Sequence, residues 1–329
     1  MRWLKVLTGI VATLVVVYLL GPHPSRPKYS KELPAIPSST PELTAYISAN
    51  EAQHKLKPDN EARIVWANDS TRQKTEYAIV YLHGFGASQE ECDPIHRNIA
   101  KQFGYNLYLS RLSDHGIDTV DAMVNLTADR LWETAKQAYV IGKQIGNKVI
   151  LMGTSTGASL ALQLAAAYPD VAGVILLSPN IEINDDRAWI LNNPWGLQVA
   201  RIVKHSDYNF SERTDSLYRQ YWYGQYRLEA AVALQEYLET AMRKETFARV
   251  HQPTLVLYYY KDAIHQDSVV RVSAIKMMYD ELGTPSSRKE MIAVSGAGNH
   301  VLGSKLVSKD IATPQKEIAS FLDDVMDVQ

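Results

Sequence analysis

Three groups of residues in this 329-residue chain have the types and order that acyl-transfer chemistry needs. The first is Gly153-Thr154-Ser155-Thr156-Gly157, which ends the apolar run Val149–Met152 and passes at once into a small-residue helical pattern. Gly-x-Ser-x-Gly between a strand and a helix is a nucleophile elbow. The turn is so tight that a side chain at either glycine would collide with the strand or the helix, and Ser155 is forced into a strained backbone with its hydroxyl exposed. The pentapeptide alone is also compatible with a phosphate-binding loop; its strand-to-helix placement favours the nucleophile. A serine hydroxyl needs a base, and the base needs a partner that fixes its tautomer.

With the nucleophile on such a turn, the acid follows in sequence and the histidine comes last. His300 lies in Ser295-Gly296-Ala297-Gly298-Asn299-His300, after the last expected strand and before the last helix. Asp262, two residues beyond the strand that ends at Tyr260, is the expected acid; Asp267 is the competitor, with an N-cap or first-turn role as its alternative. A tetrahedral intermediate also needs two converging N–H groups. Thr156 supplies one at a helix N-terminus, and Phe85, in His83-Gly84-Phe85-Gly86-Ala87-Ser88, is expected to supply the other. His83 fits a turn-stabilising hydrogen bond better than a base or metal ligand. His23, His54, His96 and His115 show no metal-ligand spacing with carboxylates, and no cofactor is expected.

The elements around these residues alternate. Apolar runs at Ile64–Trp66, Tyr77–Leu82, Asn106–Ser110, Lys148–Met152, Val171–Leu177, Thr254–Tyr259 and Glu290–Val294 are expected strands. Helices are expected at Pro94–Phe103, Ala128–Ile145, Thr156–Tyr168, Ser268–Leu282 and Thr313–Met326. This predicts an α/β fold with a mostly parallel sheet wrapped by helices. Residues 180–250, rich in Trp and Tyr and without a clear buried strand, are expected to be a cap inserted over the site; a side-packed helical elaboration is the alternative.

The N-terminus is different. Val6–Leu20 is an uncharged run, between a signal-peptide core and a full span in length. The small residues of a cleavage site are missing, so residues 1–20 are expected to be an uncleaved signal-anchor, ahead of a cleaved signal peptide or a buried helix. The domain would then be exported and membrane-tethered. Residues 21–40, with Pro22, Pro24, Pro27, Pro34 and Pro37, are expected to form an extended, solvated linker, and residues 41–329 the catalytic domain, opening with a helix from Thr40 to about His54. A net charge of −2 gives no reason to expect nucleic-acid binding. A single cysteine, Cys92, excludes an intrachain disulfide.

Taken together, His83-Gly84-Phe85-Gly86, the Ser155 pentapeptide, Asp262 and Asn299-His300 resemble the α/β-hydrolase superfamily, especially its small carboxylesterases and monoacylglycerol-lipase-like members. The resemblance covers roughly residues 60–327. Asp114-His115-Gly116 resembles that superfamily's Gly-His-Gly turn, with Asp in place of the first Gly, and the elbow departs mildly in having Thr at both variable positions. The resemblance implies a helical cap, backbone oxyanion contacts from Phe85, and ester hydrolysis through an acyl-enzyme. A thioesterase or carbon–carbon bond hydrolase would use the same residues. An inactive, membrane-tethered binding protein is the alternative from another class, disfavoured because Ser, Asp and His occur in order. A serine nucleophile argues against epoxide hydrolases and dehalogenases, which use Asp there. The expected partner is a small-molecule or lipid ester, a medium-chain monoacyl ester or lysolipid in particular.

Overall fold

The sheet forms where sequence puts continuous apolar runs, because both of its faces are covered. The structure, a computed structural model, describes residues 2–326; Met1 and residues 327–329 lie outside the described residues. Seven strands take part: β1 (Arg63–Val65), β2 (Thr75–Leu82), β3 (Asn106–Leu109), β4 (Gly146–Thr154), β5 (Val171–Leu177), β8 (Thr254–Tyr258) and β9 (Lys289–Ala293). Their order is β1-β3-β2-β4-β5-β8-β9, parallel throughout except for the antiparallel β1–β3 edge pair. Alternate side chains serve opposite faces. Val80 and Leu151 pack towards α2 (Thr40–Glu51), α4 (Ala128–Ile145), α5 (Thr156–Ala167) and α10 (Val272–Glu281). Ile79, Tyr81, Ile150 and Met152 pack with Ile99 of α3 (Ile95–Phe103) and Phe321 of α11 (Ala312–Asp324). This is an α/β-hydrolase arrangement, with β4 at the centre of the sheet feeding directly into α5.

Between β5 and β8 lies the aromatic-rich insertion. It contains α6 (Gly196–Lys204), a two-stranded hairpin of β6 (Tyr208–Phe210) and β7 (Gln225–Arg227), α7 (Ser216–Tyr221), α8 (Leu228–Ala241) and the short α9 (Lys244–Phe247). The hairpin was not legible as strands, since its six residues are only half-buried or exposed. Backbone bonds tie the insertion to the loops below, among them Tyr223 N–H donating to Gly86 O at 2.8 Å and Arg227 N–H to Ala122 O at 3.0 Å.

The N-terminal expectation requires correction. Residues Arg2–Leu19 form a helix, α1, but among the described residues no helix is long and apolar enough to cross a membrane. Lys5 lies in its first turns, so the uncharged part, Val6–Leu19, rises only about 21 Å against a hydrocarbon core of about 30 Å. Its far end docks on the insertion: Trp195 Nε1–H donates to Val17 O at 3.0 Å and Trp195 N–H to Pro22 O at 2.9 Å. The proline-rich stretch is extended but not free in solvent. Lys28 and Tyr29 N–H both donate to Asp129 Oδ1, Trp132 Nε1–H donates to Ser30 O at 2.7 Å, and the buried Lys136 ammonium donates to Glu32 O at 2.6 Å. Prolines keep the segment extended, so its carbonyls are presented to α4 along a line, while Tyr29, Leu33 and Ile36 pack on the core.

Candidate active site

Ser155 sits where β4 turns into α5, with φ 53° and ψ −118°. That strain persists because the turn has no alternative: a Cβ on Gly153 would run into the Gly157 backbone, and one on Gly157 into the Leu82 and His83 backbone. The Ser155 peptide is held by its neighbours, its N–H donating to Leu177 O at 2.9 Å and its carbonyl accepting from Asn180 N–H at 3.1 Å. The side chain caps nothing, and it opens on a cavity of about 910 Å³.

His300 lines the same cavity. Its Nδ1–H donates to Asp267 Oδ2 at 2.6 Å, and the two side chains are 9% and 0% exposed. The loop that carries it is fixed by Ser178 Oγ–H, which donates to His300 O at 2.7 Å. Burial alone would lower the histidine's pKa; the Asp267 charge and hydrogen bond, with Glu91 beyond, outweigh it and raise the imidazole above its ordinary value. Burial likewise works against the Asp267 carboxylate, but His300 and the Val269 and Val270 N–H donors overcome it and hold its pKa down. Among the described residues no hydrogen bond joins Ser155 to His300; such contacts are often loose in unliganded sites and tighten with substrate.

Asp262, the expected acid, is elsewhere. Residues 260–266 make a tight excursion closed by a Tyr260–Gln266 bridge and by Lys261 N–H donating to His265 O. Asp262 sits on this excursion, exposed, accepting from the Ile264 and His265 N–H groups and from His265 Nδ1 at 2.9 Å. Those His265 bonds, backbone first, hold its pKa at about 2. The excursion returns the chain to the sheet edge, where Asp267 N–H donates to Tyr259 O at 3.1 Å. Five residues further along the chain, the carboxylate is buried and faces His300. Asp267 does bond the local backbone, as a turn-capping residue would, but α10 starts only at Val272, so it is not that helix's N-cap.

Phe85, in the loop after β2, also lines the cavity. The preceding carbonyl, Gly84 O, accepts from His83 Nδ1–H at 2.9 Å and from Ala87 N–H at 3.3 Å. In a trans peptide the N–H points away from the C=O, so the Phe85 N–H is turned from those partners, and among the described residues it has no protein acceptor. The Thr156 N–H is one of the first-turn donors that a helix leaves unpaired, and its Oγ1 is buried without a partner. Both ring nitrogens of His83 are occupied, since Nε2 accepts from Leu112 N–H at 3.1 Å, and burial pushes its pKa down to about 4. A neutral, doubly bonded imidazole organises the turn rather than acting as a base. Among the described residues no cluster of three or more His, Cys, Asp or Glu could hold a metal ion.

Sequence and structure comparisons bear on the family and the fold. Over 105 residues the chain is 29% identical to a thermostable monoacylglycerol lipase of Bacillus sp. strain H-257, covering 32% of this chain and 41% of the relative. Less than half of that relative's length is therefore matched. Among solved structures, one from a study of LipS and LipT, two metagenome-derived lipolytic enzymes, aligns with TM-score 0.65 and 17% identity, covering 82% of this chain and 99% of that one. A monoacylglycerol lipase of Paleococcus ferrophilus aligns with TM-score 0.59 and 14% identity, covering 82% and 100%. Est1E of Butyrivibrio proteoclasticus with bound ferulic acid aligns with TM-score 0.53 and 15% identity, covering 81% and 95%. At these identities the structures speak to the fold. Residues 79–304, from the middle of β2 to just beyond His300, match the alpha/beta hydrolase family, and the chain belongs to it.

Proposed function

We propose that the protein is a serine hydrolase of carboxylic esters, with Ser155 as nucleophile, His300 as base and Asp267 as the residue that orients the base. The observation that carries this reading is the 2.6 Å bond from His300 Nδ1 to the buried Asp267. It fixes the tautomer with Nε2 free to accept a proton, on a ring that lines the same cavity as the strained Ser155. Ser155 Oγ attacks the ester carbonyl and its proton passes to His300 Nε2. Asp267 stabilises the imidazolium that forms. The carbonyl oxygen, now negative, is received by the Phe85 and Thr156 N–H groups. Collapse expels the alcohol, which takes the proton from His300. Water then repeats the sequence on the acyl-enzyme, and no cofactor takes part.

The insertion acts as a cap over this chemistry. Its Ile190, Leu191, Val199, Val203 and Tyr226 contribute to the cavity wall. The volume suits a medium acyl chain, and the Bacillus relative bears the name of a monoacylglycerol lipase. A chain-length series of p-nitrophenyl esters tests the substrate: kcat/KM should rise from acetate to a maximum near octanoate. Activity confined to acetate would remove the acyl-lipid assignment. Thioesters are served by the same groups, and thioester turnover exceeding that of the matched oxygen ester would favour a thioesterase.

The raised His300 pKa sets the acid limb of the pH profile. Only the neutral imidazole accepts the Ser155 proton, so kcat/KM should fall as pH drops through a value above the ordinary histidine value of 6.5. Removing the Asp267 charge takes away stabilisation of the imidazolium, so in Asp267→Asn the limb of the residual activity should move to lower pH. Glu91 also faces His300 and titrates nearby, so the limb belongs to the coupled groups. An unchanged limb in the variant would separate Asp267 from the base.

A further inference from the structure

One buried carboxylate at the cavity has no role in the steps above. Glu91 belongs to a short 3-10 turn, Gln89–Cys92, whose residues are all buried. It is 3% exposed and lines the cavity. Its Oε2 accepts from the Gly84 N–H. A Cβ on Gly84 would press on both carboxylate oxygens, at 2.8 Å, so glycine at 84 and glutamate at 91 fit each other. Gly84 is thus held from both sides, its N–H by Glu91 and its C=O by His83 and Ala87. Those contacts set the direction of the next amide, Phe85 N–H. Trp222, from the insertion, lines the same cavity as Glu91 and stacks on Tyr218 with ring centroids 4.7 Å apart.

We propose that Glu91 is a positioning residue for the ester hydrolysis inferred above, and rests on that inference: by accepting the Gly84 N–H it holds the Phe85 amide towards the oxygen that becomes negative. It acts through the loop and does not itself transfer a proton. Its titratable neighbours are His300, Tyr218, Tyr81 and Cys92. Burial pushes the Glu91 pKa up to about 7, so the neutral carboxyl is accessible near neutrality. In either form an oxygen remains to accept from Gly84, and reach therefore matters more than charge.

Two conservative variants separate reach from charge. Glu91→Asp keeps the charge and shortens the side chain by one methylene, so it loses the Gly84 N–H. Glu91→Gln keeps the length and an acceptor oxygen but loses the charge. Removing a whole oxyanion donor costs about 10²–10³-fold in kcat, and misdirecting one should cost a fraction of that. With p-nitrophenyl butyrate, E91D should lose about 10–100-fold in kcat with KM little changed, while E91Q keeps a third or more of kcat. The Gly84 amide proton, followed by NMR, should sit downfield in wild type and E91Q and move upfield in E91D. Wild-type kcat in E91D, or E91Q falling as low as E91D, overturns the proposal. Should E91D not fold, E91Q decides: kcat below one tenth of wild type overturns it, and retention with the downfield Gly84 amide supports it. If the wild type hydrolyses no ester and Ser155 takes no fluorophosphonate, the reading of the whole site falls, and this proposal with it.

Discussion

Alanine at position 155 is expected to lower kcat by about 10⁵–10⁶-fold, the scale on which the loss of a serine nucleophile is felt. A residual rate of roughly 10³-fold over water should survive, because the oxyanion donors and the cavity remain. Folding should be nearly untouched. The Ser155 side chain caps no helix N–H, and what holds the turn is the close approach of the Gly153 and Gly157 backbones. Alanine inherits the same positive φ, so the strain is common to both forms, and the stability change should stay within about 1 kcal/mol. Fluorophosphonate labelling of wild type beside Ser155→Ala, with thermal unfolding of both, checks the two halves. Equal labelling of both proteins would place the nucleophile elsewhere.

The second large effect distinguishes two aspartates five residues apart. Asp267→Asn should lower kcat about 10⁴-fold, the loss expected when the base is held in the wrong tautomer. Asparagine can keep the Val269 and Val270 N–H bonds through its carbonyl oxygen. Its amide then faces His300 Nδ1 with a donor. The ring answers by accepting at Nδ1 and carrying its proton on Nε2, where it cannot take the Ser155 proton. Asp262→Asn should leave kcat within about twofold and the thermal unfolding midpoint little changed, as for an ordinary surface site. Its partner, His265, is exposed as well. Steady-state kinetics on the two variants side by side reads the assignment, and a loss of activity in Asp262→Asn alone would reverse it.

That pair also marks where sequence ceased to be sufficient. The seven strands of the main sheet were legible because continuous apolar runs such as Val171–Leu177 are what a doubly covered sheet requires. Ser155 was legible because a backbone constraint writes itself as two glycines. The carboxylate that faces His300 was legible only as the competitor, because proximity to the end of a strand does not equal proximity to the site. The excursion closed by Tyr260 and Gln266 cancels that difference and brings Asp267 back to the sheet edge. A signal was present: Asp262 and His265 stand three residues apart, a spacing that lets them satisfy each other locally. Glu91 was hidden for another reason. Gln89-Glu90-Glu91 reads as a solvated polar run, and only the packing of Trp222 and the glycine loop reveals it as interior. Hydropathy suggested a span at α1, but among the described residues no helix is long and apolar enough to cross a membrane.

The extended stretch that lies across α4 gives the domain an unusual boundary. Lys136 has a side chain 1% exposed, and its ammonium is satisfied by Glu32 O and by Glu133 at 2.9 Å; the Trp132 indole has Ser30 O. Part of the interior's polar demand is therefore met from outside the sheet-and-helix body, by residues that contribute no strand and no helix of their own. The stretch behaves as a tethered ligand, held at high effective concentration by the chain itself and linked to stability as any ligand of the native state is. Contacts with the hydrolase body accordingly begin before α2, upstream of Ser30.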